Sequence, residues 1–389
     1  MTTGIKTNFL AAAASIAGRV CALSDEFYNN PETGLVEHKT SAAMQRMLAE
    51  AGYTIEPGVA GMETAFKAVL GSGRPSIALL AEMDALPGIG HGCGHNIAGM
   101  ASIGAACGLA AVLPRPFTDG SIVVFGTPAE ELGKGKIEML SAGLFKDIDA
   151  AMMVHGSSRR TIVKHFLGLI RLNFTFTGRT SHASAYPEEG VNALDAVIQT
   201  FNAINALRQQ MASDIRVHGI VTDGGRAPNI IPEKASAAFY VRAASLPALY
   251  QIRDRVVNCA KAAGIATGCS LLSEEEGEMN APMKINMAFV DAYRGALAQL
   301  GLQEDGQSPD KHVGSSDIGN VSQAIPTIHP HIPVREGINI HTREFADATV
   351  SADGHRALME GVNALGLTAL ECLFNPKTLQ AIKDAFIKG

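Results

Sequence analysis

The chain has 389 residues, 47% of them hydrophobic and 18% charged, which is enough apolar mass for more than one ordinary folded domain. Its formal net charge is −6 and it has no concentrated basic cluster, which argues against nucleic acid or an anionic membrane as a partner. No uninterrupted apolar run reaches the ~18–20 residues of a membrane span.

The N-terminal segment combines a short apolar run with a longer helical pattern. Residues 9–18 resemble a signal-peptide core, but apolar residues continue at helical spacing through Val20, Leu23 and Phe27. We therefore interpret this segment as an amphipathic helix of the mature protein.

The six cysteines lie far apart without the spacing of a disulfide framework, which favours a reduced, cytoplasmic protein.

The first part of the chain alternates helical and extended patterns. Helices are predicted at 8–29, 38–52 and 96–113. Strands are predicted at 75–84, 120–126 and 149–155, each of them apolar along almost its whole length. Strands that are apolar on both faces and separated by helices predict an α/β fold with a largely parallel sheet.

The pattern changes just before residue 170. Residues 170–178 alternate between apolar and polar, as expected for a strand with one solvated face. The next elements are a helix, two strands, a helix and a strand, at 192–211, 216–222, 234–243, 247–263 and 269–274. This β-α-β-β-α-β order predicts a ferredoxin-like sandwich inserted into the larger domain. The predicted boundaries are 1–167 and 278–389 for the larger domain and 168–277 for the insertion.

The segment His91-Gly-Cys-Gly-His95 places potential metal ligands immediately before a predicted helix. Glycine lets the backbone turn tightly enough for neighbouring side chains to converge. Thiolate and imidazole suit Zn²⁺, and also Mn²⁺ or Co²⁺ in mixed sites. By itself the segment is not specific, because a glycine turn with incidental histidines has the same pattern.

Further potential ligands follow along the chain. Glu130 and Glu131 come after a buried strand, and the carboxyl ends of parallel strands form the ligand-binding edge of such sheets. Paired acids there favour one group that binds metal and one that moves protons. His155 ends the next predicted strand, and His341 lies in a polar turn. Each alone has a structural explanation, whereas their convergence favours a metal site.

These residues, together with further motifs, resemble the dinuclear aminoacylase/carboxypeptidase metallopeptidases. The similarity is greatest to the amidohydrolase branch, which includes aminobenzoyl-glutamate hydrolases, indole-acetyl-amino-acid hydrolases and related dipeptidases. It covers nearly the whole chain in the family's order and spacing. The motifs are Asn30-Pro-Glu-Thr-Gly34 with Glu37, Met83-Asp-Ala-Leu-Pro87, Cys93-Gly-His95, Pro128-Ala-Glu-Glu131, residues 178–184, residues 192–195, Pro228-Asn-Ile-Ile-Pro232 and residues 315–320.

The resemblance implies a zinc-peptidase-like catalytic domain that holds two divalent metal ions per subunit, Mn²⁺ or Zn²⁺, with Co²⁺ as an alternative. The implied metal ligands are Cys93, His95, Glu131, His155 and His341. Glu130 would be the general base. Asp84 would fix the orientation of a metal ligand by contacting that ligand, without binding the metal itself.

For the inserted domain, the resemblance implies a lid and dimerisation module in a homodimer or higher homo-oligomer. His182 would donate to the oxyanion, reaching across the dimer into the partner's site. Asn229 and Arg242 would hold the carboxylate of a small-molecule substrate, because a guanidinium suits a planar partner. The structural alternative for Arg242 is a surface ion pair.

One departure from the wider family concerns the ligand set. The peptidase branch has His-x-Asp where this chain has Glu82-x-Asp84, so one usual ligand is absent. The resemblance to the amidohydrolase branch implies that Cys93 and His95 compensate.

We therefore expect metal-dependent hydrolysis of an amide bond in an N-acyl amino acid, an aroyl-glutamate or a small dipeptide. Two alternatives stay open at this point. The activated water could instead displace an amine from an activated, even aromatic, carbon. The chain could also be an inactive binding protein on the same fold.

Overall fold

The computed structural model describes residues 2–305 and 314–388. The chain divides into two compact units. The first unit comprises Met1–Lys164, Lys284–His312 and Ser316–Gly389, and the second comprises His165–Met283 with Val313–Ser315.

The first unit begins with α1 (Thr2–Asn29), α2 (His38–Glu50), β1 (Thr54–Pro57), β2 (Phe66–Ser72), β3 (Ser76–Glu82), α3 (His95–Val112), β4 (Gly120–Thr127), α4 (Gly135–Ser141), β5 (Ala150–Met152) and β6 (His155–Ser157). The second unit contains β7 (Gly168–Thr177), α5 (Ala193–Leu207), β8 (Arg216–Asp223), β9 (Lys234–Ala243), α6 (Leu246–Thr267) and β10 (Ser270–Glu275). The first unit then continues with α7 (Met287–Gln299), α8 (Ile318–Ala324), β11 (Thr327–Ile328), β12 (His331–Pro333), α9 (Arg343–Thr349), α10 (Ala352–Phe374) and α11 (Pro376–Lys388).

The main sheet of the first unit has the strand order β1-β2-β4-β3-β5-β11. Strand β3 pairs in parallel with β4 and β5, and β5 pairs in parallel with β11. Strands β1 and β2 add an antiparallel edge. The predicted α/β class with a mostly parallel sheet is confirmed, although the sequence pattern did not reveal β1 and β2.

Helix α3 packs directly on the backbone of β3. A Cβ atom at Gly99 would lie 2.2 Å from the carbonyl oxygen of Glu82, so this close approach requires glycine. One turn further on, the Ser102 hydroxyl donates to the carbonyl of Leu80 at 2.6 Å. The packing fixes the start of α3, which carries His95, beside the carboxyl end of β3.

By length and composition alone, three helices in the described residues could cross a membrane: Gly4–Asn29, His95–Val112 and Ala352–Phe374. In the second and third of these, 89% and 72% of the apolar window is buried within the protein. Packing inside the first unit therefore accounts for their apolar composition.

The strand predicted at 149–155 is wrong in its extent, because the chain forms two short strands there. Strand β5 belongs to the main sheet, whereas β6 begins at His155 and pairs in parallel with β12 in a separate two-stranded sheet. The pairing partner changes because the His155 amide donates to the carbonyl of Pro330 at 2.9 Å. His155 therefore starts a strand and lies opposite His331 in the register.

The second unit has the predicted β-α-β-β-α-β order. Its antiparallel sheet runs β10-β7-β9-β8. Alternate residues of β7 and β9, including Phe174, Phe176 and Phe239, are buried against α5 and α6. The other alternation positions are more exposed, as period-two patterning requires.

Candidate metal centre

Cys93 and His95 lie at the start of α3, where both side chains are buried. Gly94 between them has a left-handed backbone with φ 82°, which an L side chain rarely adopts. A Cβ atom at Gly94 would also approach the Phe345 ring to 3.1 Å. This glycine therefore allows the two side chains to converge on one point.

Asp84 follows β3 and fixes the orientation of two potential ligands. The Nδ1 atom of His95 lies 2.8 Å from the Asp84 carbonyl oxygen and 3.0 Å from its Oδ1 atom. Because a carbonyl oxygen can only accept, Nδ1 carries the proton and leaves Nε2 available for a metal. The other carboxylate oxygen of Asp84 accepts from the Glu131 amide at 3.0 Å.

His155, like His95, is hydrogen-bonded through its Nδ1 atom. It packs against two histidines that sequence reasoning missed. Its Nδ1 atom lies 2.7 Å from the Gly156 carbonyl oxygen, so Nε2 is again the available ligand atom. Nε2 lies 3.4 Å from the Cys93 sulfur. The rings of His329 and His331 pack 5.5 Å and 5.3 Å from the His155 ring. The sequence signal that could have identified these two residues was their His-Pro-His spacing.

Burial sets the protonation of these groups. It lowers the pKa of His155 to about 4 and that of His329 to about 3, so both rings are neutral at pH 7. Burial raises the pKa of the Cys93 thiol. For His95, burial alone would lower the pKa, but the charges of Cys93, Asp84 and Glu82 raise it. Neutral imidazole and ionisable thiol are the forms that metal binding selects.

Glu130 and Glu131 lie in a turn with strained backbone. Ala129, just before them, has φ 57°, which is uncommon for a residue other than glycine. Its amide donates to Oε1 of the fully buried Glu37 at 2.9 Å, and the other oxygen of Glu37 accepts from the Thr64 hydroxyl at 2.8 Å. Glu37 thus holds the turn that directs the two carboxylates toward the cluster.

His341 reaches the cluster from a distant part of the chain. It has φ 64°, and its amide donates to the carbonyl of Gly92 at 2.7 Å. Its Nε2 atom lies 3.6 Å from Oε1 of Glu131. A strained residue that is hydrogen-bonded to the Cys93 segment indicates a functional constraint.

The ligand atoms form overlapping groups in which all members lie within 4.8 Å of one another. One group contains Cys93, His95 and His155, and a second contains Cys93, Glu131 and His341. A third contains His95 and both glutamates of the 130–131 pair. The five metal ligands that the resemblance implied are therefore brought together, with Cys93 common to two groups.

The chemistry of the site fits divalent cations. Buried ligand atoms Nε2 of His95 and Oε1 of Glu131 have no hydrogen-bond partner among the described residues. Among the described residues, the carboxylates of Glu82, Glu130, Glu131 and Asp317 belong to possible ligand groups and that of Asp84 contacts His95, whereas Lys136 supplies an ammonium that pairs with Glu82 and Asp317. This excess of buried carboxylates over ammonium groups is an environment that divalent cations stabilise.

Glu82, Lys136 and Asp317 are further residues that sequence reasoning did not assign. The Lys136 ammonium lies 2.7 Å from Oε1 of Glu82 and 2.6 Å from Oδ1 of Asp317, and all three side chains are fully buried. Burial alone would lower the pKa of Lys136, but the two carboxylates raise it, so the ammonium stays charged. Burial alone would raise the pKa of Glu82, but Lys136 and His95 lower it. The sequence signal that could have identified this group was Glu82, an acid at the position where the peptidase branch has a histidine.

Glu130 has the environment of a proton acceptor. Its Oε2 atom lies 3.9 Å from Nε2 of His95, and its side chain is 12% exposed. Burial, together with the negative charges of Glu82 and Asp317, raises its pKa to about 8. A carboxyl with a pKa near the working pH is suited to general acid–base catalysis.

The second unit holds the other three predicted site residues. His182 is exposed, and its Nδ1 atom accepts from the Ala185 amide at 3.3 Å, which leaves the proton on Nε2. Asn229 lies beside it, because the Asn229 carbonyl accepts from the Ala183 amide at 3.0 Å. His182 and Asn229 therefore belong to one pair of adjacent loops.

Arg242 lies elsewhere in the second unit. It is near the carboxyl end of β9, whereas Asn229 precedes the start of that strand at Lys234. At about 3.3 Å per residue, the eight steps from Lys234 to Arg242 span about 26 Å. Arg242 therefore lies near the opposite end of β9 from the segment that leads to Asn229. Arg242 donates to the Ser315 hydroxyl at 2.7 Å, and no carboxylate among the described residues pairs with it.

Comparisons with known proteins agree with this geometry. The model of the peptidase dimerisation domain matches residues 166–267. The Xaa-Arg dipeptidase of Mus musculus is 34% identical over 391 residues, covering 95% of this chain and 89% of the relative. A p-aminobenzoyl-glutamate hydrolase chain of Escherichia coli is 32% identical, covering 74% of this chain and 63% of the relative. The solved structure of a Bacillus subtilis dinuclear metal-binding peptidase from the M20 family is 20% identical, with a TM-score of 0.74, covering 92% of this chain and 99% of that one.

The chain belongs to the M20 family of metallopeptidases. The resemblance drawn from its motifs is confirmed, as is the fold class. This M20 protein is a metal-dependent hydrolase that cleaves amide C–N bonds. The alternative of an inactive binding protein is therefore set aside.

Proposed function

We propose that this M20 enzyme hydrolyses the amide bond of a small dipeptide or related N-acyl amino acid with a free carboxylate. The observation that carries the proposal is the pair of ligand groups that share Cys93, with Glu130 beside them. In this proposal Cys93, His95, Glu131, His155 and His341 hold two divalent ions, either Mn²⁺ or Zn²⁺, with Co²⁺ as an alternative.

When bound, such ions lower the pKa of a coordinated water and polarise the substrate carbonyl. Glu130 accepts a proton from the water as its oxygen bonds to the carbonyl carbon. Glu130 then gives that proton to the nitrogen as the C–N bond breaks, so the products are a carboxylic acid and an amine. Its burial and the 3.9 Å distance from its Oε2 atom to Nε2 of His95 support this role. Asp84 keeps His95 and Glu131 in place throughout.

The second unit supplies substrate contacts in this proposal. The Nε2 proton of His182 donates to the developing oxyanion, and the Arg242 guanidinium binds the substrate carboxylate. Because Asn229 lies beside His182, and the segment that contains it enters β9 at the end opposite Arg242, we assign Asn229 and His182 to the partner's site in a homodimer. The match to the peptidase dimerisation domain supports a homo-oligomer.

The relatives guide the choice of substrate. A relative that covers 95% of this chain is named Xaa-Arg dipeptidase, and another is named p-aminobenzoyl-glutamate hydrolase. Dipeptides with a carboxy-terminal arginine are therefore the first substrates to test, followed by aroyl-glutamates and N-acyl amino acids.

A thiolate ligand is sensitive to oxidation, which supports a reducing, cytoplasmic location.

The test is a screen of these three substrate classes and of aromatic amines, with Mn²⁺, Zn²⁺ or Co²⁺ added back to metal-stripped enzyme. We expect metal-dependent release of an amine together with a new carboxylic acid. Release of ammonia without a new carboxylic acid would instead establish amine displacement. Wild-type turnover by Glu130→Ala would overturn the assignment of the base.

A further inference from the structure

Three buried charged side chains beside the metal centre form what we call the ion triad: Glu82, Lys136 and Asp317. Asp317 holds Lys136 twice, because Oδ2 accepts from the Lys136 amide at 2.8 Å and Oδ1 accepts from its ammonium at 2.6 Å. The ammonium in turn donates to Oε1 of Glu82 at 2.7 Å. Glu82 is thus held by one of its two oxygens.

The second oxygen of Glu82 faces the metal centre. Oε2 is buried, has no hydrogen-bond partner among the described residues, and lies 3.5 Å from Nε2 of His95. Since Asp84 occupies Nδ1 of His95, Nε2 is the atom that binds an ion. A zinc–nitrogen bond is about 2.0–2.1 Å long, so an ion on Nε2 lies within about 5.6 Å of Glu82 Oε2.

The triad therefore places a net charge of −1 next to this ion in a region without solvent. Charges interact strongly there, because the effective dielectric constant is well below that of water. The carboxylate of Glu82 attracts the ion, whereas the ammonium of Lys136 repels it. A buried carboxylate oxygen without a partner is also costly unless a cation satisfies it.

We propose that the ion triad sets the affinity of the centre for the ion bound to His95. Glu82 increases this affinity, Lys136 reduces it, and Asp317 keeps the ammonium in place. The inference rests on the proposed function, since it takes the His95 group as a metal site. It assigns a role to the acid that stands where the peptidase branch has a histidine ligand.

The experiment measures the Zn²⁺ affinity of metal-stripped, full-length protein by competition with a chromophoric chelator at constant pH. Glu82→Gln keeps the size of the side chain but changes the triad charge from −1 to 0. We expect it to weaken zinc binding on the order of tenfold or more. Lys136→Met makes the triad more negative, so its affinity should equal or exceed that of the wild type.

The matched control is the double variant Lys136→Met with Asp317→Asn. It removes the positive and the negative charge of this ion pair together, so the net charge of the triad stays at −1. Its zinc affinity should stay close to the wild-type value even if its melting temperature falls. Equal weakening in all three variants would mean that the triad only supports the fold, and it would overturn the inference. An unchanged affinity in Glu82→Gln would overturn it as well.

His155→Ala separates this inference from the proposed function. If His155→Ala loses zinc while Glu82→Gln binds it like the wild type, the metal centre stands and only the role of the triad fails. If His155→Ala binds zinc like the wild type, the proposed centre itself is wrong.

Discussion

Asp84 accepts a hydrogen bond from Nδ1 of His95 at 3.0 Å, in addition to the bond from Nδ1 to its own carbonyl at 2.8 Å. Two acceptors on one atom fix both the tautomer and the plane of the ring. The Nε2 lone pair therefore has one direction, toward Cys93, His155 and Glu130. Such outer contacts determine ligand geometry as much as the ligands themselves do.

The role of Glu130 predicts a specific separation of metal binding from turnover. Glu130→Gln keeps the size of the side chain but cannot accept the proton, so kcat should fall by about 10²–10⁴-fold. Metal content should remain at the wild-type level, because Glu130 is the proposed base and is not among the five proposed metal ligands. Elemental analysis and steady-state kinetics on the same preparation provide the check. A variant that loses its metal together with its activity would instead make Glu130 a ligand.

The close packing of α3 on β3 predicts a large effect from a very small substitution. In Gly99→Ala the new methyl group would lie 2.2 Å from the carbonyl oxygen of Glu82, so the helix must move away from the strand. We expect the free energy of unfolding in urea to fall by about 1–3 kcal/mol. The control is Gly295→Ala in α7, where, apart from the helix's own neighbouring backbone, no atom of the described residues lies within 4 Å of the new position. That variant should be neutral or slightly more stable, and an equal loss in both variants would refute the packing argument.

Asp149 predicts a dependence of stability on pH. Burial alone would raise its pKa, but hydrogen bonds from Lys383 at 2.6 Å and from the Ser76 amide at 2.8 Å lower it. A lowered pKa in the folded state stabilises the protein above the unfolded pKa of about 3.9, and this stability is lost as pH falls through the folded value.

Asp149→Asn should therefore reduce the free energy of unfolding at pH 7 by about 1–3 kcal/mol. The difference from the wild type should close as the pH falls below about 4. Urea unfolding of metal-stripped proteins at several pH values measures both effects. Asp147→Asn is the control, because that side chain is 94% exposed and its pair with Arg74 should contribute little. A constant difference at all pH values would contradict the assignment.

The proposed trans role of His182 predicts complementation between two inactive variants. In a mixed dimer of Glu130→Gln and His182→Ala, the site that keeps Glu130 receives His182 from its partner. Activity should return to about half of the wild-type value, because one of the two sites in a C2 dimer is complete. Co-expression with two different tags isolates the mixed dimer, and the two homodimers serve as controls. A mixed dimer that stays inactive would place His182 in its own subunit's site.

Periodicity and turn residues were sufficient to predict the second unit, because β7 and β9 alternate and its helices are long. The same reasoning placed α3 and β4 correctly in the first unit. It failed for β5 and β6, since a continuous apolar run does not reveal where a strand changes its pairing partner. His155 consequently starts a strand instead of ending one.

The metal ligands could be named from the sequence because each lies in a motif. The buried charged residues beside these ligands could not be assigned a role from the sequence. Lys136 gave no local signal, because its meaning depends on Glu82 and Asp317, which lie 54 and 181 residues away in the chain. Only tertiary structure brings those three groups together.

The sharing of Cys93 between two ligand groups is the central claim, and counting metal ions tests it most directly. Wild-type enzyme reconstituted with Zn²⁺ or Mn²⁺ and freed of excess metal should contain two ions per chain by elemental analysis. Cys93→Ala should lose both ions, whereas Cys107→Ala, which removes a buried thiol outside the centre, should keep both. One ion per wild-type chain, or two ions in Cys93→Ala, would contradict the account.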